Sequence, residues 1–185
     1  MKILGISGSL RRDSYNTKLL RAAEELFPPE VDFVLYQGVK EVPPYDEEDD
    51  VQPAPMAVAA LRSAIGEADA VLFSTPEYNS SIPGSLKNAI DWVSRPVATN
   101  PLRNKPVAVI GASTGAFGAV WAQAELRKVL AAVGARVVDG EVAVGHAPTR
   151  FDENGRLGDE SLQEQLQETL DALLAEVGAR ALVLA

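Results

Sequence analysis

Residues 2–20 read KILGISGSLRRDSYNTKLL. A short apolar run, Lys2–Ser7, breaks into a loop rich in Gly, Ser, Arg and Asn, and a helical pattern begins near Asn16. Strand, polar loop and helix in that order make an anion site out of backbone geometry. The first amides of a helix have no partner inside it, and the helix dipole adds partial positive charge there. Ser9, Ser14 and Thr17 supply hydroxyls, Asn16 an amide, and Arg11 or Arg12 a full charge, enough together to hold a dianionic phosphate. The same residues also suit a plain turn and helix cap, with Asn16 as the capping side chain.

Working outward, apolar runs recur with helical patterns between them. The spacing predicts a helix over Thr17–Phe27, ended by Pro28 and Pro29, and a second strand over Val31–Tyr36. A Pro- and acid-rich loop, Pro43–Pro55, precedes a helix over Ala57–Ile65 and a buried strand over Ala70–Ser74. Pro83–Val93 reads as a helix with proline in its first turn, Pro106–Ile110 as a strand, and Ala119–Val133 as a helix closed by Gly134. Arg136–Val138 and Val142–Val144 form a last short strand region around Gly140, and Ser161–Val177 is a C-terminal helix. Strands alternating with helices imply right-handed crossovers and a parallel sheet covered on both faces. The near-continuous apolar runs AVLFS and VAVIG fit strands buried on both sides. The expectation is a single α/β domain over residues 1–185: a flavodoxin-like three-layer sandwich on a five-stranded parallel sheet of order 2-1-3-4-5. Ligands of such sheets sit beyond the carboxyl ends of the strands, at the switch point between strands 1 and 3.

Composition narrows the function. The chain has 185 residues, 17 basic and 26 acidic, for a formal charge of −9. That balance argues against nucleic acid and against an anionic membrane surface. It also sets the basic loop at Arg11–Arg12 against an acidic background. There is no cysteine, which excludes disulfides, thiol chemistry and a cysteine-nucleophile phosphatase built on a similar anion loop. No apolar run approaches the ~20 residues of a membrane helix, and no secretory pattern opens the chain, so a cytoplasmic protein is expected.

In the expected order, the loops after strands 1, 3 and 4 lie side by side: GSLRRDSYN, TPEYNSSIPGS and ASTGAFG. The second is the most specific, with Pro76, Glu77, Tyr78 and Asn79 directly after a buried strand. Pro76 removes one donor, and the backbone amides of Glu77, Tyr78 and Asn79 can face the edge of a planar heterocycle that carries acceptors, such as an isoalloxazine. In the following helix, Asn88 and Trp92 share one face and Lys87 and Asp91 another.

GSLRRDSYN together with TPEYNSSIPGSLKNAIDW, at this separation, resembles the NAD(P)H-dependent FMN reductase family of bacterial quinone, chromate and azo-dye reductases, over Lys2 to roughly Val133. The resemblance implies that Ser9, Arg11, Ser14, Tyr15, Asn16 and Thr17 hold the FMN phosphate and ribityl chain. It implies that Pro76, Glu77, Tyr78 and Asn79 lie along the flavin ring, and that Ser113, Thr114 and Gly115 close the site. It also implies an enzyme taking hydride from NADPH or NADH and passing it by ping-pong kinetics to a small-molecule acceptor: a quinone, an azo compound, a metal oxyanion or free flavin. FMN would carry the chemistry, so no catalytic side chain and no metal are expected. A homodimer or homotetramer follows from the same resemblance; exposed apolar area, not the resemblance, places the expected contact on the helices Pro83–Val93 and Ala119–Val133, through Trp92 and Trp121.

Two other functions use the same fold. A flavodoxin-type carrier would bind FMN without nicotinamide turnover, although an arginine in its phosphate loop suits a carrier poorly. A non-redox nucleotide-binding protein would bind no flavin. The remaining polar features read as structural. His146, the one histidine, is expected in a loop beside Pro148, the Asp46–Asp50 run as a solvated loop, and Glu164 and Glu168 on a solvated helix face. The backbone of Glu77 is expected to matter more than its carboxylate.

Overall fold

Strand β1 (Lys2–Ser7) lies inside a parallel sheet, paired with β2 (Asp32–Tyr36) on one side and β3 (Ala70–Thr75) on the other. Register runs from Ile3 opposite Ala70 to Ser7 opposite Ser74, and β3 pairs in turn with β4 (Pro106–Ala112). A computed structural model provides this description for residues 1–184, with side chains described through residue 179. With β5 (Arg136–Val137) beside β4, the strand order is β2-β1-β3-β4-β5, the flavodoxin-like order expected from the sequence.

Side-chain alternation along the strands divides the core between two faces, as period-two geometry requires. Ile3, Leu72, Ala108 and Ile110 pack with Leu19 and Leu20 of α1 (Tyr15–Leu26) and with Leu166, Leu170 and Leu173 of α5 (Glu160–Leu184). Leu4, Ile6, Phe73 and Val109 pack on the other face, against Leu61 of α2 (Met56–Glu67), Leu86 and Ile90 of α3 (Gly84–Val93), and Leu126 of α4 (Val120–Ala132). Every residue of β3 and β4 is buried, which is why their sequences are uninterrupted apolar runs.

Several expectations are corrected. Helix α1 begins at Tyr15, because Ser14 is its N-cap: the Ser14 Oγ accepts from the amides of Asn16 and Thr17 at 3.2 and 3.4 Å. Asn16 is therefore not the cap. The last strand region is two separate segments, β5 (Arg136–Val137) beside Pro106–Val107 and β6 (Ala143–Val144) beside Gly111–Ala112. Side chains of α4 reach into the interval between them. Arg127 donates to Val109 O at 3.4 Å and to Gly140 O, and Gln123 Nε2 donates to Val142 O at 3.1 Å. These bonds tie α4 to β4 and to the segment between β5 and β6. Burial among these groups lowers the Arg127 pKa, against the opposing charges of Glu141 and Asp139.

Trp92 is fully buried. Its Nε1 donates to Pro43 O at 2.8 Å, its ring meets Tyr45 edge-on with centroids 5.0 Å apart, and it presents no surface to a second subunit. Asn88, one turn away, holds the same loop by donating to Pro43 O and accepting from the Tyr45 amide. The acidic run is not wholly solvated either. Asp46 caps a 3-10 turn over Glu47–Asp49, and Asp50 forms a largely buried ion pair with Arg62 at 3.0 Å. No described helix is long and apolar enough to cross a membrane.

Candidate functional site

The loops after β1, β3 and β4 converge at the carboxyl ends of the strands on a shallow cleft of about 100 Å³, open to solvent. From the first loop it takes Ser9, Arg11, Ser14, Tyr15 and Asn16; from the second Pro76, Glu77 and Tyr78; from the third Ser113 and Thr114. Three of the sequence candidates stand outside its walls: Thr17, Asn79 and Gly115. Ala112, the last residue of β4, lines it and had no signal beyond its small size at a strand end.

The first loop supplies the polar end. The amides of residues 10–15 make no hydrogen bond among the described residues, and Ser14 Oγ, which accepts from two helix amides, keeps its own proton free. Free amides at the start of α1, the helix dipole and the exposed Arg11 guanidinium together form a cradle for a dianion. The Asn16 side chain is not part of that cradle. Its Nδ2 donates to Ala112 O at 2.9 Å, while its Oδ1 accepts from Ala112 N at 3.0 Å and from Ser74 Oγ at 2.9 Å. The amide group expected to meet the anion instead fixes the first loop to β3 and β4.

The second loop supplies the aromatic end. Asn79 and Ser80 both have positive φ, 54° and 59°, so the loop turns back in the manner of a tight hairpin. Tyr78 and Ser81 exchange backbone hydrogen bonds at 3.0 and 3.1 Å across it. The Tyr78 amide is thus used within the loop, while the amides of Glu77 and Asn79 make no hydrogen bond among the described residues. The Tyr78 ring stays half exposed at the cleft. The Glu77 carboxylate has a role of its own. Its Oε2 accepts from the amides of Trp121 and Ala122, each at 3.2 Å, and so caps α4, whose first turn has no acidic residue.

The third loop is braced from behind by residues 143–147. Ser113 N donates to Val144 O, His146 N to Gly115 O, and Ala147 N to Ser113 O, at 2.9–3.0 Å. Gly118 and Gly145 permit this contact. Gly118 has φ +57° and a Cβ there would strike the backbone of Ala143, while a Cβ at Gly145 would strike Ala116 O. His146 is a loop residue in left-handed conformation that works through its backbone.

A polar end of free amides with an arginine, joined to an end walled by Pro76 and Tyr78, fits a phosphorylated planar heterocycle. The sequence model of the NADPH-dependent FMN reductase family matches residues 1–149. The chain belongs to this family. It is 44% identical over 174 residues to an NAD(P)H-dependent FMN reductase of Pseudomonas aeruginosa, covering 94% of this chain and 93% of that protein. It is 39% identical over 183 residues to a 2-hydroxy-1,4-benzoquinone reductase of a Burkholderia species, covering 97% and 98%. Among solved structures, FerB, a flavoenzyme NAD(P)H:(acceptor) oxidoreductase from Paracoccus denitrificans, superposes with a TM-score of 0.84 at 35% identity, over 96% of this chain and 97% of FerB. The match to the family model takes in all three loops of the cleft and ends before α5. Family membership makes the protein an oxidoreductase.

Proposed function

We propose that the protein binds FMN in the three-loop cleft and transfers hydride from NADPH or NADH to a quinone, an azo compound, a metal oxyanion or free flavin. The observation that carries this reading is the division of one cleft into an anion cradle and an aromatic end, each built by a different loop. Bound FMN supplies the redox chemistry. Residues of this chain bind and orient it. The free amides of residues 10–15, Ser9, Ser14 and Arg11 hold the phosphate; Pro76 and the backbone of Glu77 and Asn79 border the ring; Ser113 and Thr114 close the opposite wall. Tyr78, half exposed, borders the open side where the nicotinamide and then the acceptor bind in turn. No side chain in the cleft is needed as an acid or base for hydride transfer itself.

Arg11 favours a reductase over a carrier of the flavodoxin type, because a cation beside the phosphate offsets charge that would otherwise oppose the reduced, anionic flavin. We assign a cytoplasmic setting and a homo-oligomer. Its contact surface is the exposed pair Phe117 and Trp121, which meet edge-on with centroids 5.0 Å apart at the start of α4. The test is anaerobic mixing of the FMN-loaded protein with NADPH and with NADH. Bleaching of the flavin colour, reversed by a quinone, supports the reading. A flavin that stays coloured for minutes with both nucleotides sinks it.

A further inference from the structure

A second cleft of about 320 Å³ opens on the other side of the β1–α1 loop, at the carboxyl ends of β1 and β2. Its walls are that loop and the 3-10 turn Gly38–Glu41 that follows β2. Three cations line it, Arg11, Arg12 and Lys40; all are exposed, and none is in an ion pair among the described residues. Glu41 is the one carboxylate in its walls, so the cleft carries net positive charge in a chain whose formal charge is −9. Thr17 and Gln37 add neutral donors. The two clefts meet at the first loop, where Ser9 and Arg11 line both.

The phosphate of FMN accounts for the free amides of residues 10–15 and for Arg11. It leaves Arg12 and Lys40 unused. Guanidinium and ammonium groups without carboxylate partners select phosphate dianions. Here β2 is followed by Gln37 and, three residues on, by Lys40. Of the two nicotinamide nucleotides, only NADPH carries a phosphate monoester on its adenosine ribose. We propose that this second cleft seats the 2′-phosphate of NADPH, and that Arg12 and Lys40 set the preference for NADPH over NADH. The assignment rests on the reductase reading above.

The test uses the FMN-loaded protein and the variant R12A/K40A. Adenosine 2′,5′-bisphosphate is titrated calorimetrically into each, with adenosine 5′-monophosphate as the control, and KM and kcat are measured with both nucleotides. The expected result is that the bisphosphate binds the native protein, more weakly as salt rises, and loses about tenfold or more in affinity to the variant, the scale of one charge-assisted contact. KM for NADPH rises by a similar factor, while KM for NADH stays within about twofold and flavin content is unchanged. Equal losses with NADH and NADPH, or none with either, overturn the proposal. Loss of FMN from the variant overturns it too, by assigning the cleft to the cofactor's own phosphate, as does displacement of the bisphosphate by free FMN at equal concentration. If the native protein binds the bisphosphate but neither nucleotide bleaches the flavin, the reductase reading fails rather than the phosphate site.

Discussion

The side chain of Asn16 and the backbone of Ala112, 96 residues apart in the chain, form a two-bond clasp: Nδ2 donates to Ala112 O at 2.9 Å and Oδ1 accepts from Ala112 N at 3.0 Å. A hydroxyl proton from Ser74 completes the group, and all of it is buried. The clasp ties the first turn of α1 to the ends of β3 and β4, fixing how the three loops face one another. Replacing Asn16 by Ala removes the side-chain partner of the buried Ala112 carbonyl and of the buried Ser74 hydroxyl. The expected loss is about 3 kcal/mol of folding stability, read as a lower urea midpoint with unchanged slope. Asn16→Asp keeps the acceptor but not the donor and is expected to fall between the two.

Arg11 and Arg12 differ in where they sit. Arg11 borders both clefts, Arg12 only the second. Arg11→Ala is expected to weaken FMN binding by about tenfold or more, and Arg12→Ala to leave it within about twofold. Fluorescence titration of the apoprotein with FMN measures both, and equal affinities would contradict the assignment.

Glu77 caps α4 from outside that helix. Glu77→Ala removes the cap and is expected to cost about 1 kcal/mol in stability, visible in thermal melts. Because the same residue lies in the cleft, FMN affinity should fall with it, and Glu77→Gln, which retains an acceptor oxygen, should recover most of the loss.

Tyr36 is half-buried, and its pKa is raised above the ordinary 10.0, first by burial and then by the charge of Glu41. The folded chain therefore keeps the phenolic proton to higher pH than the unfolded chain does. The unfolded state binds fewer protons above the ordinary value, so stability is intact below pH 10.0 and declines as pH rises past it. Tyr36→Phe is expected to flatten that alkaline decline in urea midpoints measured across pH.

Trp121 is 49% exposed and Phe117 64%. Trp121→Glu places a charge in this aromatic pair and is expected to shift sedimentation velocity from the oligomer toward the monomer. An unchanged sedimentation coefficient would place the subunit contact elsewhere.

The strand order could be read because β3 and β4 are uninterrupted apolar runs and the intervening helices show a clear apolar face. The convergence of three polar loops then followed from the order alone. What could not be read depends on what lies opposite a residue in three dimensions. Trp92 and Asn88 show the right helical spacing, but nothing in it says that their partner is the Pro43–Tyr45 loop rather than another subunit. The split of the last strand is dictated by Arg127 and Gln123, two side chains of α4 distant in sequence from the interval they fill. Asn16 stood in a loop of phosphate-binding character, and only the fold shows its amide turned inward to Ala112. The Glu77 carboxylate ranks below its backbone in the sequence for the same reason, since its partners begin 44 residues later.

Anaerobic stopped-flow absorbance of the purified, FMN-loaded protein shows whether the three-loop cleft holds FMN where a nicotinamide nucleotide reduces it. The flavin band is expected to bleach in a single turnover with NADPH before any acceptor is added, and its colour to return when a quinone follows. A protein that takes up no FMN, or whose bound flavin keeps its colour with both NADPH and NADH, would contradict the proposed function.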